Sequence, residues 1–105
     1  MDIFARMNVE LGPGVADLVW RVGEAAITVE MTIDFEHDVT KHAVAFVGAS
    51  EPGLGYECIA VDGIDVWWRQ RLLTVWDPKV TSRIRPRRLV VERVGRALSA
   101  EVDYA

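Results

Sequence analysis

Histidines and carboxylates gather in the segment DFEHDVTKH, residues 34–42. His37 and His42 are five positions apart, and imidazole and carboxylate groups are common metal ligands. Successive side chains of a strand point to opposite faces, so an extended segment would turn these two histidines away from each other. We therefore predict solvated polar residues near a turn and no metal site. The carboxylates of the segment are Asp34, Glu36 and Asp38.

Cys58 is the single cysteine of the chain. A thiol nucleophile needs a base such as histidine beside it, and no pattern brings His37 or His42 to this position. A buried, unreactive thiol is therefore the prediction. The sequence also lacks the GxSxG, CxxC and HExxH patterns, and GLG at 53–55 has no Lys-Ser/Thr pair to make a phosphate loop. We predict no catalytic residue, cofactor or metal, and a non-enzymatic role is favoured.

Three of the four tryptophans lie in GIDVWWRQRLLTVW, residues 63–76. The preceding Asp62-Gly63 dipeptide is a strong signal for a two-residue hairpin turn. Such a turn would pair Glu57 with Trp68 within an apolar row, so Trp68 is predicted to lie in the core. The opposite face would then carry the adjacent tryptophan, Trp67.

The face that carries Trp67 has a mixed composition. The same register pairs Cys58 with Trp67 and Tyr56 with Arg69. Tyrosine, tryptophan and arginine are enriched in binding hot spots, so Tyr56, Trp67 and Arg69 are predicted to contact a partner. Two alternatives stay open: Trp67 lies flat on the surface under Arg69 or Arg71, or a second layer of the same domain covers it.

Charge is distributed unevenly along the chain, whose net charge is −4. Residues 1–63 hold eleven acidic and three basic residues, whereas residues 64–105 hold five acidic and nine basic ones. We expect the arginines of the second half to meet carboxylates, within the protein or across an interface. The predicted basic contacts are Arg83, Arg85, Arg87 and Arg88, and the predicted acidic ones are Glu30, Asp34 and Glu36.

Nucleic acid is a weaker alternative partner. Basic strands bind single strands when exposed aromatic residues accompany them. The arginine-rich segment 82–96 contains no Phe or Tyr, and the whole chain is acidic. A protein partner or self-association is therefore preferred.

Apolar residues recur at every second position along much of the chain, which is the period of a strand. In AITVEMTIDFE, residues 26–36, apolar and polar residues alternate strictly, which predicts a strand. VADLVWRV, residues 15–22, also alternates, so it is predicted to be a strand joined to the first by a Gly23-Glu24 turn. This hairpin would place Trp20 opposite Ile27 in the core.

Further strands are predicted over 3–11, 39–47 and the segments on either side of Asp62-Gly63. A last hairpin turns at Gly95-Arg96; it pairs Leu89 with Val102 and Val91 with Ala100, and sets Arg88 opposite Asp103. The prediction is an all-β, antiparallel sandwich or small barrel of eight or nine short strands, largely meander-connected. Residues 1–105 are expected to form one domain.

The predicted function is that of a non-enzymatic β module docking into a larger protein assembly, such as a phage or particle structural component. The N-terminus has no signal-peptide pattern, and the longest apolar run, AVAFV at 43–47, is too short to span a membrane. We expect a cytoplasmic protein, or one within a particle assembled in the cytoplasm. The alternatives are a small-molecule-binding barrel or barrel enzyme, and an inhibitor or immunity-type protein that uses an acidic face.

Overall fold

A computed structural model describes residues 7–34, 40–49, 55–72 and 86–104. These residues form strands and one short helix, which confirms the predicted all-β class. The elements in chain order are β1 Asn8–Leu11, α1 Val15–Arg21, β2 Ala26–Asp34, β3 Thr40–Val47, β4 Glu57–Val61, β5 Ile64–Leu72, β6 Pro86–Val94 and β7 Ala97–Tyr104.

The strands form two mixed sheets, ordered β3-β2-β5-β4 and β1-β6-β7. Successive strands pair antiparallel in β2–β3, β4–β5 and β6–β7, as a meander would have them. The pairs β2–β5 and β1–β6 are parallel, so the predicted antiparallel, meander-connected pairing holds for three of the five described strand pairs and not for these two. Parallel pairs join strands that are distant in sequence, and local turn signals do not encode them.

The core lies between the two sheets. Inward side chains of β2 and β5 pack with those of β6, and no side-chain surface of Ile27, Val29, Ile64, Val66 or Leu89 is exposed. β3 and β7 lie side by side, but no ladder joins the two sheets, so the described part of the chain does not close into a barrel.

Trp68 packs against this core, as the sequence predicts. Its indole Nε1 is buried and makes no hydrogen bond within the described residues. Trp68 is still partly exposed, so it lies at the edge of the core and not at its centre.

Residues 15–21 form helix α1, so the predicted strand over 15–22 is wrong. Val15, Leu18 and Val19 are buried, which is the i, i+3, i+4 spacing of a helix with one apolar face. The helix turns Trp20 outward, where 53% of its surface is exposed. The predicted core position of Trp20 opposite Ile27 is therefore wrong as well.

Gly23 ends the helix instead of turning a hairpin. Its φ of 81° is left-handed, its N–H donates to the Trp20 carbonyl at 3.0 Å, and the Glu24 N–H donates to the Val19 carbonyl at 3.1 Å. These two bonds make a Schellman motif, which satisfies the last carbonyls of a helix and favours glycine at this position. The predicted Gly23-Glu24 hairpin turn is thus a helix cap.

Helix α1, the one helix in the described ranges, is not long and apolar enough to cross a membrane.

The other two predicted turns are confirmed. Asp62 and Gly63 both have positive φ, 51° and 78°, as a type I′ turn requires, and β4 and β5 pair in the predicted register. Gly95 has a φ of 63° at the first position of the β6–β7 turn, and that hairpin also has the predicted register.

Candidate functional site

The outward surface of the four-stranded sheet carries the aromatic residues that the sequence singled out. We call this surface the aromatic face. Two rows cross it: one follows β3, β2, β5 and β4 through Phe46, Thr28, Trp67 and Cys58. The other row passes through Val44, Glu30 and Arg69 and ends at Tyr56.

The first row holds two large aromatic side chains on either side of a small one. Phe46 is 47% exposed and Trp67 is half-buried, while Thr28 between them is only 1% exposed. The Thr28 hydroxyl donates a 2.6 Å hydrogen bond to the Gly48 carbonyl. Thr28 lies between Phe46 and Trp67 in the ladder, and the bulk of these two neighbours covers it although it faces outward.

The second row contains a cluster of three polar side chains, those of Glu30, Arg69 and Tyr56. Arg69 Nε lies 2.7 Å from Oε2 and 3.0 Å from Oε1 of Glu30, and the Tyr56 hydroxyl donates to Glu30 Oε1. The guanidinium carbon of Arg69 also sits 4.7 Å from the centre of the Tyr56 ring. Each side chain thus fixes the other two, and the side chains of Arg69 and Glu30 remain 26% and 24% exposed.

The cluster brings together residues that the sequence had placed in separate groups. Tyr56 and Arg69 were predicted as a pair, whereas Glu30 was grouped with Asp34 and Glu36 as an acidic contact. The parallel pairing of β2 with β5 sets Glu30 beside Arg69. Arg69 lies over Tyr56, so Tyr56 takes the stacking contact that one alternative gave to Trp67.

Cys58 and His42 also lie on the aromatic face. Cys58 is exposed, so the prediction of a buried thiol is wrong. Desolvation still raises the pKa of the Cys58 thiol, with a further contribution from the negative charge of Asp65, and a raised pKa makes a thiol less nucleophilic. His42 is exposed, and the described residues contain no cluster of three or more His, Cys, Asp or Glu that could hold a metal. His37 lies outside the described residues.

The outward surface of the three-stranded sheet, which we call the charged face, carries a second ion pair. Arg88 Nη2 lies 2.7 Å from Glu10 Oε2, and Arg88 Nη1 lies 3.8 Å from Asp103 Oδ2. The hydrogen bond from Arg88 lowers the pKa of Glu10. Arg88 therefore makes its carboxylate contacts within the chain. These side chains are about half exposed or more, from 45% for Glu10 to 68% for Asp103.

The remaining predicted contacts are scattered or lie outside the described structure. Arg87 is exposed at the start of β6, and Asp34 ends β2. Arg83, Arg85 and Glu36 lie outside the described residues.

The two Glu–Arg pairs each join the acidic half of the sequence to the basic half. Glu30 and Glu10 lie within residues 1–63, while Arg69 and Arg88 lie within residues 64–105. Part of the charge split is therefore neutralised by the fold itself.

Sequence reasoning missed the apolar residues of β3. Val44 is 59% exposed and Phe46 is 47% exposed, on the same face as Trp67. The signal was present in HAVAFV, residues 42–47, where the strand parity of Val44 and Phe46 differs from that of buried Ala45.

No protein-family model matches the chain, and neither does any curated protein or solved structure.

Proposed function

We propose that the protein is a non-enzymatic β module that docks onto a protein partner within a larger assembly, and that the aromatic face is the docking surface. The observation that carries this proposal is the exposure of Val44 and Phe46 beside half-buried Trp67. Contiguous exposed apolar residues are disfavoured on surfaces that face water alone, and aromatic residues are enriched in protein interfaces.

The polar cluster supports the same proposal. Glu30, Arg69 and Tyr56 hold one another in place before any partner arrives. Binding to ordered side chains loses less conformational entropy than binding to mobile ones. The partner that suits this face presents an apolar surface to Val44, Phe46 and Trp67, with hydrogen-bonding groups toward the cluster.

This arrangement favours docking over the acidic-inhibitor alternative. An inhibitor of a basic partner needs uncompensated carboxylates on its binding face. Glu30 lies in the middle of the aromatic face and Arg69 already neutralises it at 2.7 Å, whereas the exposed Asp65 lies toward the β4–β5 turn.

Two matched valine variants test the proposal. Val44 is 59% exposed on the aromatic face, and Val94 is 62% exposed on the charged face. The partner, or a second copy, is identified by native mass spectrometry of the protein from its source, and the complex is then rebuilt from purified components. V44S should weaken that complex at least about tenfold, and V94S should leave its Kd unchanged.

Trp67→Ala should have the larger effect, about 2 kcal/mol of binding free energy, because truncated aromatic hot spots lose that much. Equal Kd values for wild type, V44S and W67A would overturn the assignment of the aromatic face. A loss caused by V94S alone would move the docking surface to the charged face.

A further inference from the structure

A cleft opens where the end of β3, the end of α1 and the β6–β7 turn meet. Its volume is about 310 Å³, and we call it the seam cleft because it lies at one end of the line where β3 and β7 run side by side. Its walls come from α1 and the residue after it, from the end of β3, and from the start of β7. The side chains that line it include Leu18, Val22, Phe46, Arg96, Ala97 and Leu98.

The walls of the seam cleft are apolar and partly uncovered. Val22 is 58% exposed and Phe46 is 47% exposed, although both are large apolar side chains. Covering such surface is favourable by about 25 cal/mol for each square ångström removed from water. A ligand with an apolar body would therefore gain free energy by filling the cleft.

One cation stands at the cleft. Among the described residues that line it, Arg96 carries the only charged side chain. Arg96 occupies the second position of the β6–β7 turn, after Gly95 with its φ of 63°. A guanidinium group matches the planar geometry of a carboxylate and can hold it through two parallel N–H bonds.

The position of the turn that carries Arg96 is fixed by a neighbouring arginine. Arg93 Nε donates to the Gly95 carbonyl at 2.8 Å, and its Nη1 reaches the Gly14 carbonyl at 3.4 Å. This side chain ties the β6–β7 turn to the residue that precedes α1. The turn and the helix, which form two walls of the cleft, are therefore held together without a ligand.

A second cleft lies farther along the line where β3 and β7 run side by side, and it differs from the seam cleft in volume and in charge. It lies among His42, Ala43, Glu101 and Tyr104, and its volume is about 120 Å³. Small-molecule sites begin at roughly 300 Å³, which the seam cleft reaches and the second cleft does not. The second cleft also contains a carboxylate, Glu101, where the seam cleft contains Arg96.

We propose that the seam cleft binds small amphipathic carboxylates. The apolar tail lies between α1 and the end of β3, against Leu18, Val22 and Phe46, and the carboxylate lies at the guanidinium of Arg96. This binding site is separate from the docking of a protein partner, although Phe46 borders both the cleft and the aromatic face.

Octanoate, used below its micelle-forming concentration, is the probe. It is titrated into the full chain and followed by two-dimensional ¹H–¹⁵N NMR. We expect saturable shifts centred on the amides of the β6–β7 turn and the end of β3. R96Q should weaken octanoate binding at least about fivefold, because it removes the charge-assisted contact. Added salt should weaken binding to the wild type, because salt screens the partly exposed charge.

The controls separate charge from cavity. Arg71→Gln removes an exposed arginine of β5 that pairs with Thr32, toward the opposite end of the sheet, and it should leave octanoate binding unchanged. Octanol should bind wild type and R96Q equally, since it has no charge. Ala97→Trp places a bulky ring at the cleft and should abolish the binding of both probes while the rest of the spectrum is retained.

Three results would overturn the proposal. The first is the absence of saturable shifts, or shifts that centre on another part of the chain. The second is an equal effect of R96Q and R71Q on octanoate binding. The third is that octylammonium binds as tightly as octanoate, which would show that the charge at Arg96 selects nothing.

Discussion

The outward faces of the two sheets each carry a Glu–Arg pair at 2.7 Å, yet the pairs sit in different surroundings. On the aromatic face, Arg69 and Glu30 are about a quarter exposed and Tyr56 covers one side of them. On the charged face, Arg88 and Glu10 are nearly half exposed and share the surface with Asp103. The same contact distance therefore describes one sheltered pair and one solvated pair.

This difference distinguishes a surface that only contacts water from a surface that is suited to binding a partner. The charged face meets water with groups that water solvates well, and an exposed ion pair contributes little to stability. The aromatic face holds its charges inside a neutral cluster and leaves Val44 and Phe46 uncovered. Five substitutions test whether the two faces differ in this way.

Trp68→Ala should give the largest loss of stability. Trp68 packs against the core from the inward side of β5, so its truncation should lower the free energy of unfolding by about 3 kcal/mol. Trp67→Ala, on the outward side of the same strand, should cost about 1 kcal/mol, because Trp67 is not among the side chains that pack against the core. Urea denaturation measures both. Equal losses would show that the aromatic face is structural.

Glu30→Ala should come next. It leaves Arg69 and Tyr56 without their shared acceptor on a partly desolvated surface, which should cost about 1–3 kcal/mol. Glu10→Ala is the matched change on the charged face, and its effect on the urea midpoint should be clearly smaller and should vanish at high salt. A Glu10→Ala loss as large as that of Glu30→Ala would contradict the distinction between the two faces.

Acid titration of the Glu10–Arg88 pair on the charged face should show the smallest effect. Since Arg88 lowers the pKa of Glu10, the ionised carboxylate stabilises the folded state above the ordinary pKa of 4.5. This contribution is lost as the pH falls below 4.5 and through the lowered pKa of the folded state. Glu10→Gln should flatten that part of the stability-against-pH curve. An unchanged curve would show that the Arg88 contact is not formed in solution.

Two hairpins of the fold could be predicted from the sequence with their registers. Asp62-Gly63 and Gly95-Arg96 each demand a particular backbone conformation, and the alternation on either side then fixes every cross-strand pair. Of the candidate site, this was enough to place Tyr56, Trp67 and Arg69 together. Glu30 could not be placed with them, because the parallel pairing of β2 with β5 that sets Glu30 beside Arg69 is not specified by any turn.

The sequence of helix α1, in contrast, is compatible with both a helix and a strand. Val15, Leu18, Val19 and Val22 fit a helical period, while the alternation through Leu18, Trp20 and Val22 fits a strand equally well. Gly23 satisfies a hairpin turn and a helix cap alike. A segment of eight residues is too short for periodicity to choose between them, and packing against β6 decides the outcome.

The parallel pairing of β1 with β6 has a consequence for the order of events during synthesis. Asn8 aligns with Arg88, so β1 is synthesised about 80 residues before its partner strand β6. At ribosomal speeds of roughly 5–20 residues per second, β1 spends several seconds with no partner strand. Closing so long a loop also slows folding in the test tube. During that interval the nascent chain exposes the unpaired edge of β1, and this is the stage at which a chaperone would have the most to protect.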